Sequence, residues 1–296
     1  MRDYVIVTDS GCDLDSSFRN PRGIDCLPMH YIVNGQDYLA DLDWKQISAP
    51  DFYDTIKGGT RITTAQVNQE TYREAFAKHL QLGKDVLYVG CSTALSASLK
   101  TAKIVAEDVL KDYPDAKIIC VDSLRACFAL GILVLAAADL KDEGKTIDEV
   151  ASWLEENKLT ANMIGSVDKL TYLKQAGRVS AASAFFGGLL NIKPIIIADA
   201  KGQNFAVEKV KGRKVSFERI VSRLVDAYQD VKYQRVFISH AHCIDEAEEL
   251  KAMIIEKLGK EIDIHIGYVG PCVGATVGPG MIGAYCLGKK VTVNAE

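Results

Sequence analysis

Apolar residues in the first half of the chain follow two alternating rhythms. Short continuous runs at Tyr4–Val7, Asp85–Gly90 and Lys117–Val121 read as strands. Between them, Gln69–Leu82, Leu95–Lys111 and the very apolar Ala126–Asp142 read as helices. Asn34-Gly35 is a hairpin-turn dipeptide between Leu27–Val33 and Tyr38–Leu39. Ser48-Ala-Pro-Asp opens a helix with a capping serine and an early proline, and Gly58-Gly59 closes it. Thr146-Ile-Asp-Glu149 is a capping box for a helix ending near Asn157.

A second alternating unit follows. Met163–Val167 reads as a strand, Lys169–Gln175 as a short helix and Ala181–Leu190 as a helix rich in Ala, Phe and Gly. Lys193–Ala198 and Phe205–Val210 flank Lys201-Gly202-Gln203 as an antiparallel pair. Helix Phe217–Gln229, strand Arg235–His240, helix Asp245–Leu258 and strand Ile262–Val269 come next. A glycine-rich loop, a last short helix and a closing strand at Val291–Val293 complete the chain. The fold class is therefore α/β, with an N-terminal Rossmann-like parallel sheet over 1–160 and a C-terminal mixed sheet over 161–296. A ligand is expected in the cleft between the two domains.

At 296 residues, 48% hydrophobic and 25% charged, the chain has ample material for such cores. Its 35 basic and 39 acidic side chains give a net −4, which argues against nucleic acid as a partner. The longest apolar run, Ala126–Ala138, falls well short of the roughly 20 residues of a membrane span, so stable membrane insertion is not expected. The N-terminus enters a strand at once and lacks the regions of a signal peptide, which reads as cytoplasmic. Eight scattered cysteines without a Cys-x-x-Cys read as reduced thiols.

Familiar catalytic signatures are scarce. Gly278-Pro-Gly280-Met-Ile-Gly283 matches a dinucleotide fingerprint by letters, but too little chain follows it for a βαβ unit. His240-Ala-His242-Cys243 offers metal-ligand residue types without enough partners for a zinc site, so neither cofactor nor metal is expected. More informative are hydroxyl-rich junctions at strand-to-helix turns, Thr63-Thr64-Ala65-Gln66 and Ser92-Thr93-Ala94-Leu95-Ser96-Ala97-Ser98. Helix N-termini offer unpaired N–H groups and partial positive charge, so added hydroxyls can hold a carboxylate or phosphate. Each junction taken singly is equally served by a capping role.

Read together and in order, these segments resemble the DegV family of bacterial fatty-acid-binding proteins. Thr8-Asp9-Ser10 stands at the family's opening Thr-Asp-Ser, Thr64-Ala65-Gln66 at Thr-Ser-Gln-Pro, and the Ser92–Ser98 turn at Ser-Ser-x-Leu-Ser-Gly-Thr. Val121-Asp122-Ser123 follows a strand. Leu170–Ser180 matches Leu-x-Tyr-Leu-x-x-Gly-Gly-Arg-Ile-Ser, and Lys193-Pro194 follows. Gly274–Gly280 matches the closing Gly-x-His-x-Gly-Pro-Gly. The resemblance implies one long-chain fatty acid buried between two α/β domains, its carboxylate on hydroxyls and its tail in an apolar tunnel. In some members the acid is presented to a separate fatty acid kinase that makes an acyl phosphate; the binding protein is not itself the catalyst.

Carried onto this chain, the resemblance makes Thr64, Ser92, Thr93, Ser96, Thr276 and Gly278 the carboxylate end. Arg178 stands where it could cap carbonyls, pair with a carboxylate or face a partner, and Phe185, Phe186 and Leu189 could line the tunnel. Thr276 replaces the family's histidine. It can donate a hydrogen bond but cannot carry charge or shuttle a proton. Val67 and Ala97 replace a proline and a glycine, marking a divergent member. The basic run Lys209, Lys211, Arg213, Lys214 suits either a partner surface or a solvated turn. Two other readings stay open: a lipid-sensing regulator without phosphotransfer, and an enzyme that uses the serine-rich turn, for which no histidine context supplies a base to Ser96.

Overall fold

The computed structural model describes residues 2–180 and 191–295, so the expected helix over Ala181–Leu190, with Phe185, Phe186 and Leu189, lies outside the described residues. The chain begins with β1 (Tyr4–Asp9), a 3-10 turn, α1 (Ser16–Arg19) and β2 (Asp25–Leu27). A hairpin, β3 (His30–Val33) and β4 (Gln36–Leu39), leads to α2 (Ala49–Lys57), β5 (Ile62–Ala65) and α3 (Gln69–Gln81). Then come β6 (Asp85–Gly90), α4 (Ser98–Val109), β7 (Ile118–Asp122), α5 (Cys127–Asp142) and α6 (Ile147–Asn157).

The second part runs through β8 (Ala161–Ser166), α7 (Leu170–Ala176), β9 (Val179–Ser180), β10 (Ile192–Ala198) and β11 (Asn204–Lys211). Helix α8 (Arg213–Ala227), β12 (Val236–His240), α9 (Ile244–Leu258), β13 (Ile264–Tyr268), α10 (Pro271–Val277) and β14 (Ile282–Leu287) follow.

The strands form a two-domain α/β fold. The first sheet is fully parallel, in the order β2-β1-β6-β7. Its central strands β1 and β6 are buried along their whole length, which is why they read as unbroken apolar runs. The second sheet is mixed, in the order β13-β12-β14-β8-β10-β11-β9, with parallel pairs only at its two ends. A small antiparallel sheet, β4-β3-β5, stands beside the first. The Asn34-Gly35 turn has positive φ at both residues, as a tight hairpin requires, and Ser48 and Thr146 cap their helices.

Three sequence expectations need correction. Val291–Val293 is not a strand; the closing strand is Ile282–Leu287, buried throughout between β12 and β8. The short helix precedes the Gly278–Gly280 segment rather than following it. Thr64 lies within a strand, β5, paired to β3 across from Tyr31, rather than in a strand-to-helix junction. Strand β5 is only half-buried and reads as polar, so its pairing partner was invisible in the local pattern.

Buried contacts at Arg125 and at α10 help to fix the domains to each other. The Arg125 side chain is fully buried and spends its guanidinium on backbone carbonyls: Ala161 at 2.5 Å, Leu124 at 2.7 Å, Asp199 at 3.1 Å and Leu159 at 3.4 Å. Helix α10, although it comes late in the chain, packs into the first part. Tyr53 of α2 donates to the Val269 carbonyl at 2.6 Å, and Asp13 accepts from Gly270 N–H at 3.0 Å. Gly274 leaves room for the Tyr53 ring, whose hydroxyl would stand 2.4 Å from an added Cβ.

Candidate functional site

The loops that follow β1, β6 and β7 lie at one edge of the parallel sheet, where open α/β sheets bind ligands. Asp9 organises two of them. Its buried carboxylate accepts from Gly11 N–H at 2.9 Å, Cys91 N–H at 2.9 Å and the Tyr88 hydroxyl at 2.6 Å. Burial raises its pKa, and these three donors offset part of that cost. Asp122 organises the third, accepting from Leu124 N–H at 3.0 Å and from the Thr93 hydroxyl at 2.6 Å.

These loops face β8, β10 and α10 across a cavity of about 730 Å³, within the range of ligand pockets. Gly11, Cys91 and Cys127 contribute from the first domain, and Met163, Ile196 and Met281 from the second. Val273, Thr276 and Val277 enter from α10. The wall is largely apolar, with hydroxyls on β5, on the Ser92–Ser98 turn and on α10, and those of Ser166 on β8 and Tyr285 on β14.

The structure gathers most of the residues singled out from sequence and separates two. Thr64, Thr93, Ser96, Thr276 and Arg178 all line the cavity. Thr64 Oγ1 has no hydrogen-bond partner among the described residues. Ser96 Oγ caps the start of α4, accepting from Ser98 N–H at 3.2 Å and donating to Ser98 Oγ at 3.0 Å. The Thr276 hydroxyl turns back to the Cys272 carbonyl at 3.3 Å, and Arg178 donates to the Ala176 carbonyl at 2.6 Å at the exposed rim. Ser92, by contrast, is fully buried away from the cavity and donates to the Gly202 carbonyl at 2.8 Å. Gly278 packs against Tyr172, whose ring would lie 2.2 Å from an added Cβ. Its φ of 72° is a second reason for glycine.

Sequence reading missed Gln66, Lys100 and the three cavity thiols Cys91, Cys127 and Cys272. Gln66 belongs to the quoted Thr64-Ala65-Gln66 segment and was legible there; nothing local marks the thiols. All eight cysteines are free, and burial raises the pKa of Cys91, Cys127 and Cys272. Among the described residues no group of three or more His, Cys, Asp and Glu side chains could hold a metal. His240 is a buried strand residue whose Nδ1 accepts from Cys243 N–H at 3.2 Å, with its pKa lowered to about 4 by burial. Nor is any described helix long and apolar enough to cross a membrane.

A family model described as an uncharacterised protein of the DegV family matches residues 3–289. The chain belongs to the DegV family. A DegV domain-containing protein of Clostridium perfringens is 36% identical over 288 residues, covering 97% of this chain and 98% of the relative. A fatty-acid-binding DegV family protein of Thermus thermophilus superimposes with a TM-score of 0.86 at 25% identity, covering 98% of this chain and 100% of that one. DegV of Bacillus subtilis, described as a fatty acid binding protein, gives 0.82 at 26% identity with the same coverage.

Proposed function

We propose that this DegV protein binds one long-chain fatty acid in the cavity between its domains. The observation that carries this reading is the makeup of the cavity wall: apolar over most of its extent, with a few hydroxyls, among them those of Thr64, Thr93, Ser96 and Thr276. The fatty-acid-binding descriptions of the Thermus thermophilus and Bacillus subtilis structures support the same ligand class. Thr64 is the best-placed carboxylate donor, because it has no competing partner; Ser96 stands at the positive end of α4 and would serve once its hydroxyl turns from Ser98 Oγ to the carboxylate. Each hydrogen bond to the charged group is worth about 1.5–3 kcal/mol. Each buried methylene of the tail adds about 0.8 kcal/mol, so the tail dominates affinity.

In this reading the protein is a carrier without catalysis of its own, working in the cytoplasm, with residue 160 as the boundary between its domains. A fatty acid kinase is the partner to which the carboxylate would be presented. Organic extraction of the purified protein, read by mass spectrometry, tests the ligand. A stoichiometric fatty acid is the expected result, and an empty protein that also rejects added fatty acids would overturn the proposal.

One observation favours a second reading, a lipid sensor without phosphotransfer. The position of the family's histidine is held by Thr276, whose hydroxyl is spent on its own helix. Retained lipid binding with no acyl phosphate formed beside a cognate kinase would select it.

A further inference from the structure

A file of hydroxyls runs from the lipid cavity into the interior and ends on a buried carboxylate. Ser96, on the cavity wall, donates to Ser98 Oγ at 3.0 Å. The Ser98 hydroxyl meets that of Tyr72 on α3. Tyr72 Oη lies 2.8 Å from Tyr88 Oη, and Tyr88 donates to Asp9 Oδ2 at 2.6 Å. Ser98, Tyr72, Tyr88 and Asp9 are fully buried. Phenylalanine at 72 and 88 would fill the same space, so packing alone gives the two phenols no use. Among the described residues, both hydroxyls find their partners only within this file.

The inner end fixes the direction of the file, because each hydroxyl has one proton to give. While Asp9 is ionised it can only accept, so Tyr88 donates to Asp9, Tyr72 to Tyr88, Ser98 to Tyr72 and Ser96 to Ser98. Ser96 then turns its proton inward and offers the cavity lone pairs, which repel a carboxylate. A proton on Asp9 permits the reverse order, in which Asp9 donates to Tyr88 and Ser96 donates into the cavity. The reversed file leaves the ligand as the one anion in the dry interior, where two would repel.

The surroundings of Asp9 favour that exchange. Burial raises its pKa, and its titratable neighbours are Tyr88 on β6, Tyr72 on α3, Cys26 on β2, Cys91 and, on α10, Cys272, none of them cationic. Among the described residues no Asp, Glu or His lines the cavity, so the wall has no such group to take up a proton itself.

We infer that Tyr88, Tyr72 and Ser98 form a relay that sets the direction of the Ser96 hydroxyl, so that binding a carboxylate draws one proton from solvent onto Asp9. The four are positioning residues, acting on the ligand through Ser96. The inference rests on the fatty-acid reading and deepens it, making the protein a binder of a carboxylate together with a proton.

Calorimetric titration of the full-length protein with dodecanoate, in buffers of different ionisation enthalpy, counts the protons taken up. Below its micelle concentration dodecanoate is ionised from about pH 6 to about pH 9, so uptake in that range belongs to the protein. Uptake should peak at about 0.5–1 proton per ligand, and affinity should fall as pH rises through that window, because the bound state holds the proton more tightly. Dodecanol carries no charge and should bind with uptake below about 0.2 proton. Tyr72→Phe cuts the relay in the middle and leaves Asp9 its bonds to Tyr88, Cys91 and Gly11. It should bring dodecanoate to the same low uptake, with dodecanol affinity kept within about twofold.

Dodecanoate binding to the wild type without proton uptake at any pH in the range overturns the inference. So does uptake undiminished in Tyr72→Phe, which would put the proton on another group, for which Asp13 beside the cavity residue Cys127 is available. Binding of neither dodecanoate nor dodecanol would instead refute the fatty-acid reading, so the two failures are distinguishable.

Discussion

Ser92 Oγ donates to the Gly202 carbonyl oxygen at 2.8 Å, joining the loop after β6 to the turn between β10 and β11. Ser92 Oγ in turn accepts from Ala94 N–H at 3.2 Å, so the hydroxyl is used in both directions. Ser92 therefore joins the two domains and shapes the turn that presents Thr93 and Ser96.

Replacing Ser92 by alanine should lower stability by about 1–3 kcal/mol, the usual cost of stranding a buried acceptor. Fatty acid content should stay unchanged. Gly202→Ala should cost more, since its φ is +80° and an added Cβ would meet Ser92 Oγ at 2.2 Å. Urea unfolding beside lipid quantification checks both; loss of lipid in a stably folded Ser92→Ala protein would return the serine to the site.

Thr64→Val and Ser96→Ala remove hydroxyls from the cavity with little change in shape. Each should weaken fatty acid binding about tenfold or more, through loss of a hydrogen bond to the carboxylate. Because tail burial is untouched, the corresponding long-chain methyl ester should lose much less. An equal loss for acid and ester would contradict the proposed orientation of the ligand.

Asp13 supplies a pH dependence with a definite sign. Its carboxylate is 5% exposed and Oδ2 has no hydrogen-bond partner, while Oδ1 accepts from Gly270 N–H. Burial raises its pKa from 3.8 to about 7, only partly offset by the Gly270 bond. Cys127, Tyr53, Tyr285, Cys91 and Cys272 are its titratable neighbours, none of them cationic. The folded state therefore binds the proton more tightly than the unfolded chain, and this group's contribution to stability falls as pH rises from about 4 to about 7. Asp13→Asn keeps an acceptor for Gly270 and removes the charge. It should flatten that part of the pH–stability curve and stabilise the protein at pH 8; an unaltered curve would show that Asp13 is ionised at little cost.

From a fully buried position Arg125 donates to four carbonyls, those of Ala161 and Asp199 across the domain junction and those of Leu124 and Leu159 on its own side, and burial lowers its pKa to about 10. Lysine offers three donors on a point charge and cannot reproduce the planar fork. Arg125→Lys should therefore destabilise by about 3 kcal/mol or more, as expected when buried acceptors lose their donors. Denaturant midpoints read the effect, and a change below about 0.5 kcal/mol would show that the guanidinium is dispensable at the junction.

The sequence by itself determined the α/β alternation, because strands buried on both faces, such as Tyr4–Asp9 and Asp85–Gly90, must be apolar throughout, and amphipathic helices must repeat at helical spacing. It also determined local caps and turns, at Ser48, Thr146 and Asn34-Gly35, since these depend only on neighbouring residues. The ordered motifs were enough to place the chain in its family and to mark Thr64, Thr93, Ser96 and Thr276 for the cavity wall.

Tertiary structure decided which way those side chains face and what they meet. Ser92 and Ser96 stand four residues apart in one hydroxyl-rich turn, yet one locks onto Gly202 and the other lines the cavity. Strand β14 depends on β12 and β8 on either side of it, and helix α10 on Asp13 and Tyr53 far earlier in the chain. Local pattern records what a residue does with its neighbours in sequence; partners a hundred or more residues away are chosen only when whole elements pack.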